Sequence, residues 1–168
     1  MGRIGRFGGI TFIIGILVMG LGAGGASGQS ASQDDIAKKF IGSWRLISIE
    51  VNGQVDPNRG AHPTGLIYYD AAGYMAAQIM PDRPRLKYAG SQPTPEEAKT
   101  ALIGYTAYFG TYSIDERART VTHHRKGCID SGAVGVDAVR RYEFAPGDRL
   151  ILRPVENPTR RLIWERIK

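Results

Sequence analysis

The chain has 168 residues, a formal net charge of +6 and a single cysteine, Cys128. Two of those charges sit in the first 28 residues, so the rest carries +4 spread along its length, too mild and too dispersed for a nucleic-acid surface. A lone cysteine excludes an internal disulfide, and residues 29–168 are long enough for one domain that rests on its own core.

Arg3 and Arg6 precede an apolar run over residues 10–21 and a small-residue patch over 22–28. A charged start, an apolar centre and a small-residue cleavage zone predict a secretory signal peptide over 1–28, and hence an exported protein, periplasmic or secreted. The run is shorter than the roughly 18–20 residues a spanning helix needs, so no stable membrane span is expected after cleavage. An uncleaved N-terminal anchor is the alternative. Residues 29–39 read as a flexible segment entering a short helix, with Asp35 as its cap and Ile36 and Phe40 on one face. Such a helix would lie across the floor of a domain over 40–168.

Gly42-Ser43-Trp44 opens an alternating strand over 42–51. The glycine lets the chain bend beneath a barrel, and the tryptophan plugs the floor with one large ring. Strict alternation puts Trp44, Leu46, Ser48 and Glu50 on one face and Arg45, Ile47, Ile49 and Val51 on the other. A polar loop over 52–63 follows. Residues 66–69 and 74–80 flank a short hairpin loop in which Gly73 suits a left-handed position. Asp82-Arg83-Pro84-Arg85 reads as a proline-punctuated coil bracing the mouth, with Arg83 or Arg85 able to meet an anionic headgroup. Thr94-Pro95-Glu96-Glu97 is a helix start: N-cap, proline at the first helical position and a glutamate that completes a capping box. Ala98, Ala101, Leu102 and Tyr105 give that helix an apolar side, and Gly104 is its stop. Strands resume over 107–114, 120–125, 138–144, 150–153 and 161–167, with turns marked by Pro146-Gly147-Asp148 and Asn157-Pro158. The pattern is all-β: a closed antiparallel barrel of about eight strands with one inserted α-helix and a short N-terminal helix, with room inside for one small ligand.

Several pieces resemble, in order, the bacterial and fungal lipocalin-like domain family. They are Ile41-Gly42-Ser43-Trp44-Arg45-Leu46; Gly65-Leu66-Ile67-Tyr68-Tyr69 with Gly73-Tyr74-Met75; Asp82-Arg83-Pro84-Arg85; the stretch 105–112 around Gly110; Val121-Thr122-His123-His124; Arg140-Arg141-Tyr142-Glu143-Phe144; and Leu162-Ile163-Trp164-Glu165-Arg166. The resemblance implies a calycin-type barrel with an internal cavity that binds a small apolar molecule; some fungal relatives sit beside biosynthetic enzymes. One segment departs from the family pattern. After the paired histidines the family tends to carry an acid and then an aromatic, proline-containing loop. Here residues 125–135 are basic and then small, which implies a more flexible loop at this mouth.

His123 and His124 are neighbours on a strand, so they point to opposite faces and cannot share a metal within one subunit; no metal and no cofactor are expected. Val121 shares the His123 face, which favours His123 inside, either as a hydrogen-bond anchor or general base or as a structural histidine bonded to a tyrosine. Tyr108 and Tyr112 share a face with Gly110 between them, leaving a notch for a ligand or for close strand packing. Arg140 shares a face with Tyr142 and Phe144. Arg140 and Arg166 are the candidates to stack on Trp44 or Trp164 by cation–π attraction. No Gly-x-Ser-x-Gly, His-Glu-x-x-His, Cys-x-x-Cys or phosphate loop is present.

These residues define the expected site. Tyr68, Gln78, Tyr108, Tyr112, His123 and Arg140 would contact a small hydrophobic or amphipathic molecule. Gly42, Trp44 and Arg166 would be structural, and the protein a monomer or weak dimer. The alternatives are an isomerase, cyclase or hydro-lyase using His123, His124 and Tyr108 as acid and base, or an interaction domain with a filled barrel.

Overall fold

A computed structural model describes residues 35–168. The expected signal peptide and most of the flexible segment lie outside them. The described part of α1 covers residues 35–40. The strands are β1 (Gly42–Val51), β2 (Gln54–Val55), β3 (Thr64–Tyr69), β4 (Tyr74–Met80), β5 (Thr106–Asp115), β6 (Thr120–Cys128), β7 (Asp137–Ala145), β8 (Arg149–Pro154) and β9 (Arg160–Arg166). Helix α2 (Pro95–Leu102) joins β4 to β5, and a 3-10 turn (Ser131–Ala133) joins β6 to β7.

Neighbouring strands pair antiparallel in the order β1-β3-β4-β5-β6-β7-β8-β9, and β9 returns to β1 through seven residue pairs. The result is a closed eight-strand antiparallel barrel, with β2 as a two-residue ribbon on the far end of β1. Closure removes both sheet edges. One end, the floor, carries α1 and the tight β3–β4, β5–β6 and β7–β8 turns. The other end, the mouth, carries α2 and the longer loops.

Gly42 enters β1 at φ +123°, a conformation that side chains resist, and a Cβ there would stand 3.0 Å from an Arg166 guanidinium nitrogen. Trp44 and Leu46 then point inward. A bulge between Leu46 and Ser48 inserts Ile47 as an extra residue. The bulge corrects the alternation expected from sequence: Ile49 turns inward and is fully buried, while Glu50 pairs with Arg161 at 3.3 Å.

The floor half is filled by rings. Phe40 meets Tyr69, Tyr142 and Phe144 edge-on, with centroids 5.3, 5.1 and 5.0 Å away. These edge-to-face pairs each add about 0.5–1.5 kcal/mol beyond burial. The Trp44 indole donates to the Phe40 carbonyl at 2.8 Å and so ties α1 to the barrel. Arg166 lies 4.1 Å over the Trp44 ring and donates to the Ile41 and Lys39 carbonyls at 2.7 and 2.6 Å. The guanidinium thus closes the floor from outside and satisfies carbonyls of the segment leaving α1.

Helix α2 carries the expected capping box: the Glu97 N–H donates to Thr94 Oγ1, and the Thr94 N–H donates to the Glu97 carboxylate. The Thr94 and Ala89 N–H groups, both donating to it, hold the Glu97 carboxyl below its usual range. The expected apolar side does not enter the core. None of its eight residues is buried, and Leu102 is 53% exposed. Arg83 braces the far end of α2, donating to the Thr100 carbonyl at 3.1 Å and to that of Ile103. Among the described residues, no helix is long and apolar enough to cross a membrane.

Candidate ligand cavity

Above the aromatic floor the barrel is hollow. A cavity of about 330 Å³ opens at the mouth. Its apolar wall is Ile67, Ala77, Ile79, Leu152, Leu162 and Trp164, supplied by inward positions of β3, β4, β8 and β9. Its polar wall is Arg59, Thr106, Tyr108, His123, Arg140, Glu156, Asn157 and Arg160. The small side chain of Ala77 and the short reach of Thr106 leave the space that larger residues would fill.

His123 on β6 is fully buried and sits between two tyrosines. The Tyr69 hydroxyl is 2.8 Å from Nε2 and the Tyr108 hydroxyl 2.9 Å from Nδ1. Burial, reinforced by Arg140, Arg125 and His124, lowers its pKa to about 3, so the ring is neutral at physiological pH. A neutral imidazole has one donor and one acceptor. Tyr69 is fully buried, and among the described residues His123 is the hydrogen-bond partner of its hydroxyl. If Nε2 carried the proton, the Tyr69 proton would be stranded in the core. Tyr69 therefore donates to Nε2, and Nδ1–H donates to the Tyr108 oxygen. Burial pushes the Tyr69 and Tyr108 hydroxyls above their ordinary pKa, so both keep their protons. The Tyr108 proton is then free for another acceptor.

Three arginines stand toward the mouth. Arg140 Nη1 donates to Glu156 at 2.9 Å and to the Val139 carbonyl at 3.2 Å. Arg160 pairs with buried Asp56 at 3.0 Å. Arg59 donates to the Gly104 carbonyl and, at 3.0 Å, to Thr106 Oγ1. Burial and the nearby Arg160 charge lower the Arg59 pKa, against the opposing pull of Asp56.

The structure corrects three expected contacts. Tyr68 and Gln78 lie on the outer face of β3 and β4, where Tyr68 is 42% exposed. In each case the inward residue is the neighbour, Tyr69 or Ala77. Tyr112 faces inward below the cavity, where its hydroxyl donates to the Asp70 carbonyl at 2.8 Å and its ring meets Tyr69 edge-on. It belongs to the floor. Between Tyr108 and Tyr112, the Gly110 notch is filled by backbone: a Cβ there would fall 1.9 Å from the His124 carbonyl oxygen, at a bulge where β5 and β6 approach closely. Tyr108, His123 and Arg140 do converge on the cavity; Arg140 is engaged by Glu156 and the Val139 carbonyl, and the guanidinium on Trp44 is that of Arg166. Arg59, Arg160 and Trp164 also line the cavity, and strand alternation alone does not single them out. The Asn52-Gly53 hairpin signal, which forms the β1–β2 turn with both residues at positive φ, was the clue that 52–63 folds back over the mouth.

His124 faces outward in a polar row. Its Nδ1 is 2.8 Å from Asp137 Oδ1 and its Nε2 is 2.9 Å from Ser113 Oγ. The row has the side chains of a Ser-His-Asp triad. It lies on the outer surface of three paired strands, outside the cavity. Among the described residues, no group of three His, Cys, Asp or Glu side chains is placed to hold a metal.

No curated protein matches the chain. The family model described as a lipocalin-like domain matches residues 41–167, which span the whole barrel from Gly42 to Arg166. The chain therefore belongs to the lipocalin-like domain family.

Proposed function

We propose that this protein is a binding module that holds one small, largely apolar molecule in the mouth half of its barrel. The observation that carries this is the void of about 330 Å³ with an apolar wall on one side and polar groups on the other, above a floor already filled by rings. A void of that size sits at the lower end of ligand pockets, which are about 300–1,000 Å³. Burial of ligand surface supplies about 25 cal/mol per Å² before ordering costs are subtracted. The binding reading is favoured over catalysis by His123, since both ring nitrogens are already engaged by tyrosines. Arg3, Arg6, the apolar run over 10–21 and the small-residue patch support export, which would set the module to work outside the cytoplasm. Organic extraction of the purified protein followed by mass spectrometry tests the proposal. A single molecular species at about one per chain is expected; an extract holding nothing above background, from protein that also takes up no apolar probe, would overturn it.

A further inference from the structure

The geometry points to a ligand with an acceptor-rich, anionic end: a carboxylate or similar oxyanion held by Arg140 and Tyr108 while its apolar body lies against Ile67, Ala77 and Leu162. This rests on the binding function proposed above and names the chemistry of what is bound.

Donors outweigh acceptors on the polar wall of the cavity: three arginines and Tyr108 stand against Glu156, the Asn157 amide oxygen, which already accepts from Thr159, and Thr106 Oγ1, which already accepts from Arg59. Arg59, Arg140 and Arg160 carry donors alone. The Tyr108 oxygen receives Nδ1–H from His123, so its own proton is the one left to give. His123 has nothing left to offer, since its single acceptor nitrogen takes the Tyr69 proton. Trp164, in the same wall and 1% exposed, has an indole N–H with no acceptor among the described residues. The other buried orphan, Arg161 Nε, still lies 3.3 Å from a Glu50 carboxylate oxygen.

Charge agrees with this count. Three guanidinium groups at the mouth face two carboxylates, Asp56 and Glu156. Asp56 is tied to Arg160 at 3.0 Å and to the Asn58 N–H at 2.9 Å. Glu156, the one carboxylate of the cavity wall among the described residues, has a side chain 64% exposed. It can swing into water and yield Arg140, whose own side chain is only 16% exposed, to an incoming anion. A cationic ligand would meet three like charges against the single carboxylate of Glu156. An uncharged apolar ligand would leave the Tyr108 proton unpaired.

Octanoate, octan-1-ol and octylamine share one chain and differ only at the head. Each is titrated at pH 7 into the full barrel loaded with N-phenyl-1-naphthylamine, an uncharged apolar probe, and its displacement of the probe is read by fluorescence. Octanoate is expected to displace the probe at least tenfold more tightly than octylamine, with the alcohol between. Arg140→Gln lowers octanoate affinity about tenfold and removes the ranking. Should that variant not fold, Tyr108→Phe, which keeps the ring, is expected to weaken octanoate by a similar factor. Probe uptake with no ranking among the heads, or with octylamine first, overturns the anion inference and leaves cavity binding standing. Failure of the probe and all three octyl compounds to bind overturns both.

Discussion

His123 shows how one buried ring can set the polarity of a whole site. Its two nitrogens fix the direction of two hydroxyls, and so decide that the cavity wall gives protons rather than takes them. The same burial makes the fold sensitive to acid. The folded pKa of about 3 lies below the ordinary 6.5, so between those values the unfolded chain binds a proton that the folded chain refuses. Stability contributed by neutral His123 is thus fully present above about pH 6.5 and is lost as pH falls toward about 3, at up to ~1.4 kcal/mol per pH unit. Urea unfolding between pH 7 and pH 5 checks this: His123→Gln is expected to flatten the slope relative to the unsubstituted chain, and parallel slopes would contradict it. The sequence could favour His123 over His124 as the inward ring, because Val121 shares its face. The partners of that ring were not legible. Tyr69 lies 54 positions away, and which of the adjacent Tyr68 and Tyr69 turns inward depends on a register that alternation alone does not set.

At the scale of elements, two bulges and one helix separate what pattern could say from what packing decides. The bulge at Ile47 moves Ile49 into the core and sends Glu50 outward, so an alternation read from Trp44 holds only as far as Leu46. The β5–β6 bulge needs Gly110, whose missing side chain admits the His124 carbonyl. Helix α2 was legible at its start, because Thr94, Pro95 and Glu97 form a local cap that owes nothing to the rest of the fold. Its apolar side misled, since Leu102 and its neighbours remain exposed beside the mouth. That exposure separates local from global stability. Thr94→Ala is expected to cost the helix about 1 kcal/mol of local stability and to raise amide exchange across Pro95–Leu102, while the melting temperature of the barrel stays essentially unchanged. A clear drop in melting temperature would mean that α2 is coupled to the core, which its lack of buried residues argues against.

The whole molecule is a barrel divided in two. The floor half is stapled by Phe40, Trp44 and the Arg166 guanidinium, and its fully buried rings supply much of the core. The mouth half is held open by small and aliphatic residues beneath a ring of arginines. The closed antiparallel architecture was legible because eight short alternating strands separated by turn residues admit few other solutions. The division was not, since a void is made by side chains from distant strands such as Ala77 on β4 and Leu162 on β9, which no local window joins. That hollow is the central claim, and filling it is the direct test. N-phenyl-1-naphthylamine is titrated into the purified protein with tryptophan excitation, beside an Ala77→Phe variant that places a ring in the void. Saturable energy transfer at one site per chain, abolished by Ala77→Phe at unchanged melting temperature, is the predicted result; equal uptake by both proteins, or by neither, would contradict it.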